Sequence, residues 1–204
     1  VDPTSGDPLP LFVKIDGITG SSTDATHVGW QEALAFEWDA WRGTSTTSEW
    51  ADLRLVSRLD RLSPALFQKV MNSYVISRVD LELTRPGDTA ADVLRLRLED
   101  VTISSYRLGQ DAAGEPVVEY TLSFTKLSFS YMPYDSAGQP QTAVNAAWDR
   151  KTNTSGAAVP LSATEPTSTT SLPAATTLPA SSSPIGVDPT SGDPLPLFVK
   201  IDGI

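Results

Sequence analysis

Apolar and polar positions alternate with period two through much of the chain, which predicts a mainly β protein. Leu11, Val13 and Ile15 alternate with Phe12, Lys14 and Asp16, and Gly17 ends that strand. Trp30, Glu32, Leu34, Phe36 and Trp38 share one face of the next strand, with Glu32 its odd polar member. After the polar run Thr44–Ser48, Leu53–Leu59 returns as a strand. Val79, Leu81 and Leu83 then alternate with Asp80, Glu82 and Thr84, and Leu94, Leu96 and Leu98 with Arg95, Arg97 and Glu99.

Twice the apolar phase slips by one residue. The first slip follows Glu99-Asp100, after which Val101 and Ile103 carry the pattern. The second separates Tyr120, Leu122 and Phe124 from Leu127, Phe129 and Tyr131. Each slip reads as a β-bulge that bends a long strand, and two bends favour a barrel over a flat sandwich. One helix interrupts the strands. Ser63-Pro64 supplies a hydroxyl N-cap and a proline at the first helical position, and Leu66, Phe67, Val70 and Met71 line one helical face. Arg85-Pro86-Gly87-Asp88, Asp111–Glu115 and Asp135–Pro140 carry turn residues. The expected fold is a small curled β-barrel of two packed sheets with one short α-helix, about Pro64–Ser73.

The opening stretch Val1–Ile18 recurs letter for letter as Val187–Ile204, an offset of 186 residues. Between the barrel pattern and that repeat, residues 155–186 contain 7 Ser, 6 Thr and 5 Pro, with Glu165 the only charge. Such a segment cannot bury a core and reads as a disordered or extended linker. As a coil it spans roughly 30 Å, and in polyproline form about 100 Å. The chain thus divides into an extended lead-in at 1–10, a folded domain at 11–154, the Ser/Thr/Pro linker at 155–186 and the start of a second repeat unit at 187–204.

Composition narrows the function classes. Cys is absent from the 204 residues, which removes disulfides and thiolate chemistry. A net charge of −10 speaks against nucleic acid as a partner. There is no apolar run long enough to cross a bilayer, so membrane insertion is not expected. The first residue is not Met and no signal-peptide profile follows it, so Val1 reads as an internal or processed start.

Catalytic chemistry finds little to work with. His27 is the only histidine, no G-x-S-x-G motif is present, and His27 reads as a loop residue. Glu99-Asp100 is the one close carboxylate pair on a strand; its members point to opposite faces or sit in the bulge, which suits structure better than metal. Arg95 and Arg97 are expected to pair across strands with acids such as Glu82. Five tryptophans, Trp30, Trp38, Trp41, Trp50 and Trp148, suit core packing and subunit contacts before carbohydrate stacking. No enzyme, cofactor or metal is expected.

Several segments together resemble the haemolysin-coregulated protein (Hcp) family, the tube protein of type VI secretion. They are FVKIDGITG (Phe12–Gly20), Ser22–Asp24 leading to Trp30 and the Leu34–Trp38 strand, and LDRLSPALFQKV (Leu59–Val70). The Leu81–Arg85 strand, LRLEDVTISSY (Leu96–Tyr106), LSFTKLSFSYMP (Leu122–Pro133) and AAWDRKTN (Ala146–Asn153) follow in order. The resemblance spans Leu11–Thr154, 144 residues. It implies a small β-barrel with one helix, assembled into six-membered rings that stack into a hollow tube. The tube would be propelled by a contracting sheath and carry effectors, without an active site. Two features depart from the family: the Trp41–Leu53 loop is short and Thr/Ser-rich, and the linker with its repeated strand is additional.

Three functional readings follow. In the first, the chain self-assembles into a secretion tube, with sheath, spike or effector proteins as further partners. In the second, it is one repeat of a tandem Hcp-like polyprotein forming an extracellular filament or surface fibre. There Leu197, Val199 and Ile201 would occupy the slot of Leu11, Val13 and Ile15 in a neighbouring barrel. In the third, the barrel is an enzyme or lectin, with only the tryptophans behind that reading. Trp41 and Trp50 join the six strand residues as candidate self-assembly positions. The first two readings place the protein outside a bacterial cell, after cytoplasmic assembly if it is a secretion tube.

Overall fold

The computed structural model describes residues 8–42, 48–85 and 91–158. Within them lie β1 (Leu11–Ile15), β2 (Gln31–Glu37), β3 (Ala40–Arg42), β4 (Ser48–Trp50), β5 (Leu53–Arg58), α1 (Ser63–Met71) and β6 (Ile76–Arg85). These are followed by β7 (Ala91–Gln110), β8 (Pro116–Ser123), β9 (Lys126–Tyr131), β10 (Val144–Asp149) and β11 (Thr154–Ser155). The linker beyond residue 158, the repeated strand Leu197–Ile201 and the turn Pro86–Asp88 lie outside the described residues.

Nine strands form one antiparallel sheet in the order β11-β10-β9-β7-β6-β1-β2-β5-β8. A further β7–β8 pairing closes six of them, β7-β6-β1-β2-β5-β8, into a barrel. The expected barrel is therefore present, with a single continuous sheet as its wall. β3 and β4 form a separate two-stranded hairpin. Strand β7 makes closure possible. Its 20 residues pair with β9 through Glu99 and with β8 from Thr102 onward, so one strand serves two neighbours in turn.

The exchange of partners occurs at Asp100, whose φ of 54° lies in the left-handed region. The first phase slip falls at this residue, but the register with β6 runs on unbroken from Arg78↔Glu99 to Ile76↔Val101. Backbone conformation turns the faces here without a bulge. Register shifts occur instead at Leu83/Thr84, Ile103/Ser105 and Ala33/Ala35. The second slip is a break between two strands: Phe124 and Thr125 leave the sheet between β8 and β9, which pair with opposite halves of β7.

Leu11, Val13 and Ile15 of β1 join Leu53, Leu55, Val79, Leu81, Leu96, Leu98, Val118, Tyr120 and Leu122 in the core. In β2 the expected apolar face is not the buried one. Gln31 is buried and Ala33 packs on the core, whereas Glu32 and Leu34 face outward. The bulge between Ala33 and Ala35 then turns Phe36 inward, and Trp38 packs on the core beyond the strand. Gln31 is accommodated because its amide donates to Ser57 Oγ at 2.9 Å and accepts the Tyr120 hydroxyl.

Helix α1 begins at Ser63, one residue earlier than expected, and Leu62 precedes it without a side-chain cap. The Ser63 hydroxyl instead ties back to Asp60, and the Asp60 carboxylate accepts the Leu62 N–H at 3.0 Å. Ser73, with φ of 47°, ends the helix in a left-handed residue. Leu66 is buried against the barrel, but Phe67 and Met71 on the expected apolar face are 48% and 63% exposed.

Candidate functional site

Strands β6 and β7 place a polar row on the face turned away from the core, because residues between successive inward leucines must point outward. Glu82 stands opposite Arg95, and Asp80 opposite Arg97. Arg95 Nε donates to Glu82 Oε1 at 2.6 Å, and Arg97 Nε donates to Asp80 Oδ1 at 2.6 Å. All four residues are buried. Cross-strand pairing of Arg95 with Glu82, expected from the sequence, is what the structure shows.

The loop between β1 and β2 covers one end of this row. It folds on itself through Gly20 N–H to Gly29 O (2.6 Å), Gly29 N–H to Ser22 O (2.9 Å) and Ser22 N–H to Trp30 O (2.8 Å). A Cβ on Gly20 would stand 2.3 Å from Trp30 O, so only glycine fits. This closure drives His27 inward, where it is 2% exposed. The histidine ring stacks on Phe12 at 4.0 Å between centroids and meets the Trp30 ring edge-on at 4.9 Å.

Both ring nitrogens meet carboxylates. Nδ1 lies 2.9 Å from Asp24 Oδ1 and Nε2 lies 2.9 Å from Glu82 Oε2. Burial would lower the pKa of His27, but the bonds to Glu82 and Asp24 outweigh it and raise the value above 6.5. For Glu82, burial pushes the carboxyl up, yet His27 and Arg95 prevail and hold it below its ordinary value. Asp92, on β7, is raised by its burial and by the Glu82 charge. Asp24 is lowered to about 2, chiefly by the Thr26 hydroxyl and further by His27.

His27, Glu82 and Asp92 bring ligand atoms within 4.8 Å of one another, a donor set that a metal ion accepts. Here Arg95 supplies the positive charge: Nε binds Glu82 and Nη2 binds Asp92 Oδ2 at 3.0 Å. The cluster is an ion-pair network in which one buried donor, Arg95 Nη1, has no partner among the described residues. His27, held at both nitrogens, is not free to act as a base on a substrate. The sequence places His27 on a loop but carries no sign of its burial. Glu99 and Asp100 separate as anticipated, Glu99 to Lys126 Nζ at 3.3 Å and Asp100 to Thr125 Oγ1 and Lys151 Nζ.

The candidate assembly positions are dispersed. Leu11, Val13 and Ile15 are buried on a strand paired at both edges, by β2 and β6. Trp50 stacks on Phe124 at 5.3 Å and sits beside Trp38, inside a cleft of about 500 Å³ also lined by Trp41, Leu127 and Trp148. The indole Nε1 atoms of Trp38, Trp50 and Trp148 are buried and meet no acceptor among the described residues, so they present no open donor to a sugar. Trp41, on the β3–β4 hairpin, is 49% exposed. Leu197, Val199 and Ile201 lie outside the described residues. Periodicity does not single out the exposed apolar side chains Tyr74, Val75, Leu108 and Val144.

A family model described as "Type VI secretion system effector, Hcp" matches residues 12–131. No curated protein sequence matches the chain. A solved structure described as a type six secretion system protein is 22% identical with a TM-score of 0.67, covering 72% of this chain and 99% of its own. Hcp1 from Salmonella typhimurium is 22% identical with a TM-score of 0.63, covering 73% of this chain and 99% of that one. A type VI secretion system effector from Yersinia pestis is 27% identical with a TM-score of 0.58 over 68% and 98% of the two chains. The family match takes in strands β1 to β9, every strand of the barrel among them, and the chain belongs to the Hcp family of type VI secretion proteins.

Proposed function

We propose that this chain is a non-enzymatic building block that self-assembles into rings stacked as a hollow tube, which carries effector proteins out of a bacterial cell. The observation that carries this reading is the family match across the whole barrel, residues 12–131. Exposed apolar side chains support it: Phe67, Met71, Tyr74 and Val75 on and after α1, and Phe129, Tyr131 and Val144 on β9 and β10. A lone soluble subunit gains nothing from such surface, whereas a ring member covers it with its neighbours. Trp41 on the β3–β4 hairpin is the proposed contact to the next ring. Assembly belongs in the cytoplasm, and sheath, spike and cargo proteins are the further partners. Negative-stain microscopy of the purified chain tests the reading. Rings with an open centre are expected, and a monodisperse monomer at high concentration overturns it.

The repeated stretch favours a second reading, in which the chain is one unit of a tandem array. Leu197, Val199 and Ile201 then join neighbouring barrels by taking the slot that Leu11, Val13 and Ile15 fill, and the linker becomes part of a surface filament. The denatured mass of the protein from its native assembly separates the two. A mass near 21.8 kDa supports discrete subunits, and multiples of a 186-residue unit support the array.

A further inference from the structure

The His27 cluster has no part in ring formation as proposed, yet it joins three separate segments at one buried point. Asp24 and Thr26 approach from the β1–β2 loop, Glu82 from β6, and Asp92 and Arg95 from β7. Phe12 of β1 lies flat on the imidazole, while Lys14 of β1 sits over the Trp30 ring at 5.6 Å. A neutral imidazole has one N–H donor and one lone pair. With Nε2 donating to Glu82, a bare Nδ1 lone pair would face the Asp24 carboxylate oxygen at 2.9 Å, so the geometry favours a proton on both nitrogens. Asp24 Oδ1 also accepts the Thr26 and His27 N–H groups and the Thr26 hydroxyl.

We propose that the His27 cluster is a proton-held clasp: the imidazolium pins the β1–β2 loop and strand β1 to β6, and loss of its proton loosens them. The proton leaves from Nδ1, the nitrogen beside the partly exposed Asp24, and passes to solvent. Nε2 keeps its hydrogen and its bond to Glu82. Thr26 Oγ1, 2.8 Å from Nδ1 and 2.7 Å from Asp24 Oδ1, turns its hydroxyl from the carboxylate to the ring nitrogen. The Asp24 contact that is lost lies within the loop, and the bond that ties the loop to β6, Nε2 to Glu82, stays but loses the positive charge that strengthens it. Glu82 and Asp92 are left with Arg95 as their only cation among these groups. The raised pKa of His27 has the sign this requires, because a folded value above the unfolded one means stability present at low pH and lost as pH rises through the folded value.

The chain has one histidine, so a single imidazole signal reports the clasp without assignment ambiguity. Nuclear magnetic resonance titration of the full chain should place the His27 midpoint above 6.5. Over that same step, amide protection of Phe12–Ile15 and Gly20–Trp30 should fall, by about tenfold for each pH unit separating the folded from the ordinary pKa. Protection of Val118–Leu122, away from the cluster, serves as the reference. In His27→Gln the step should vanish, and in Glu82→Gln the midpoint should move down. Should His27→Gln fail to fold, the wild-type titration and the Glu82→Gln shift still decide. A midpoint at or below the ordinary value, or protection that stays flat through it, overturns the clasp. So does an equal fall at Val118–Leu122.

Discussion

Arg95 donates from Nε to Glu82 Oε1 at 2.6 Å across the β6–β7 ladder, with both side chains less than a tenth exposed. Removing the cation alone leaves the buried Glu82 with only His27 among the described residues and takes the arginine from the partly buried Asp92. Arg95→Met is expected to cost about 3–5 kcal/mol, read as a lower urea midpoint with an unchanged slope. Adding Glu82→Met should recover part of that loss, because the more deeply buried of the two carboxylates is then removed, with Asp92 still lacking its arginine. A double-variant loss equal to the sum of the losses in Arg95→Met and Glu82→Met alone would show that the pair is not coupled.

Tyr120 and Gln31 meet inside the barrel, the hydroxyl donating to Oε1 of the amide. Burial drives the Tyr120 phenol far above its ordinary pKa, so it remains a donor at any working pH. Tyr120→Phe keeps the ring and orphans the acceptor. The expected loss is about 1–3 kcal/mol by thermal or chemical denaturation. Gln31→Leu with Ser57→Ala removes the remaining members of this buried polar group and, combined with Tyr120→Phe, should restore part of the stability.

Gly20→Ala should lower stability by about 1–3 kcal/mol, since the new methyl overlaps the Trp30 carbonyl and the backbone must yield. The loss should be concentrated in the β1–β2 loop, with reduced amide protection at Ser22 and Gly29, whose N–H bonds close that loop.

On the acid side, Asp24 titrates near 2 because the Thr26 hydroxyl and His27 favour its charged form. A depressed folded pKa gives stability that is present above the unfolded value and lost as pH falls through the folded one. Asp24→Asn should therefore flatten the pH dependence of stability between about pH 4 and pH 2, without reversing it. An unchanged slope there would remove Asp24 from the account.

Phe67→Glu with Met71→Glu tests the assembly surface. Both side chains are exposed, so the circular dichroism spectrum and melting point should hold while ring formation in sedimentation experiments is lost. Rings that persist would move the contact elsewhere on the barrel.

Particular residues show why parts of this fold are legible in the sequence. Leu94, Leu96 and Leu98 keep strict alternation because their strand packs one face on the core. Asp111 and Asp135 mark turns whose side chains accept the N–H groups two and four residues on, with Gly114 and Gly138 in the left-handed region. Alternation points to the wrong face of β2 because a bulge beside an alanine leaves no trace in hydrophobicity, and because Gln31 is buried by partners distant in sequence. Strand β10 escapes the pattern since none of its residues is fully buried and they need not alternate. The Arg95–Glu82 pairing follows from charge alternation on adjacent strands. The His27 cluster does not, because it depends on a loop closing over Phe12, and a lone histidine in a polar loop carries no mark of that.

Strand β7 belongs to the closed barrel through β8 and to an open flap through β9, β10 and β11. That double membership gives the molecule two mechanical regimes. A pull on the chain leaving β11 would act on ladders one at a time, unzipping β11 from β10 and then β10 from β9 at low force. A pull on β1, held between β2 and β6, must shear two ladders together. A subunit loaded through both ends would therefore yield first at its flap, and the barrel would keep its packed core while the flap extends.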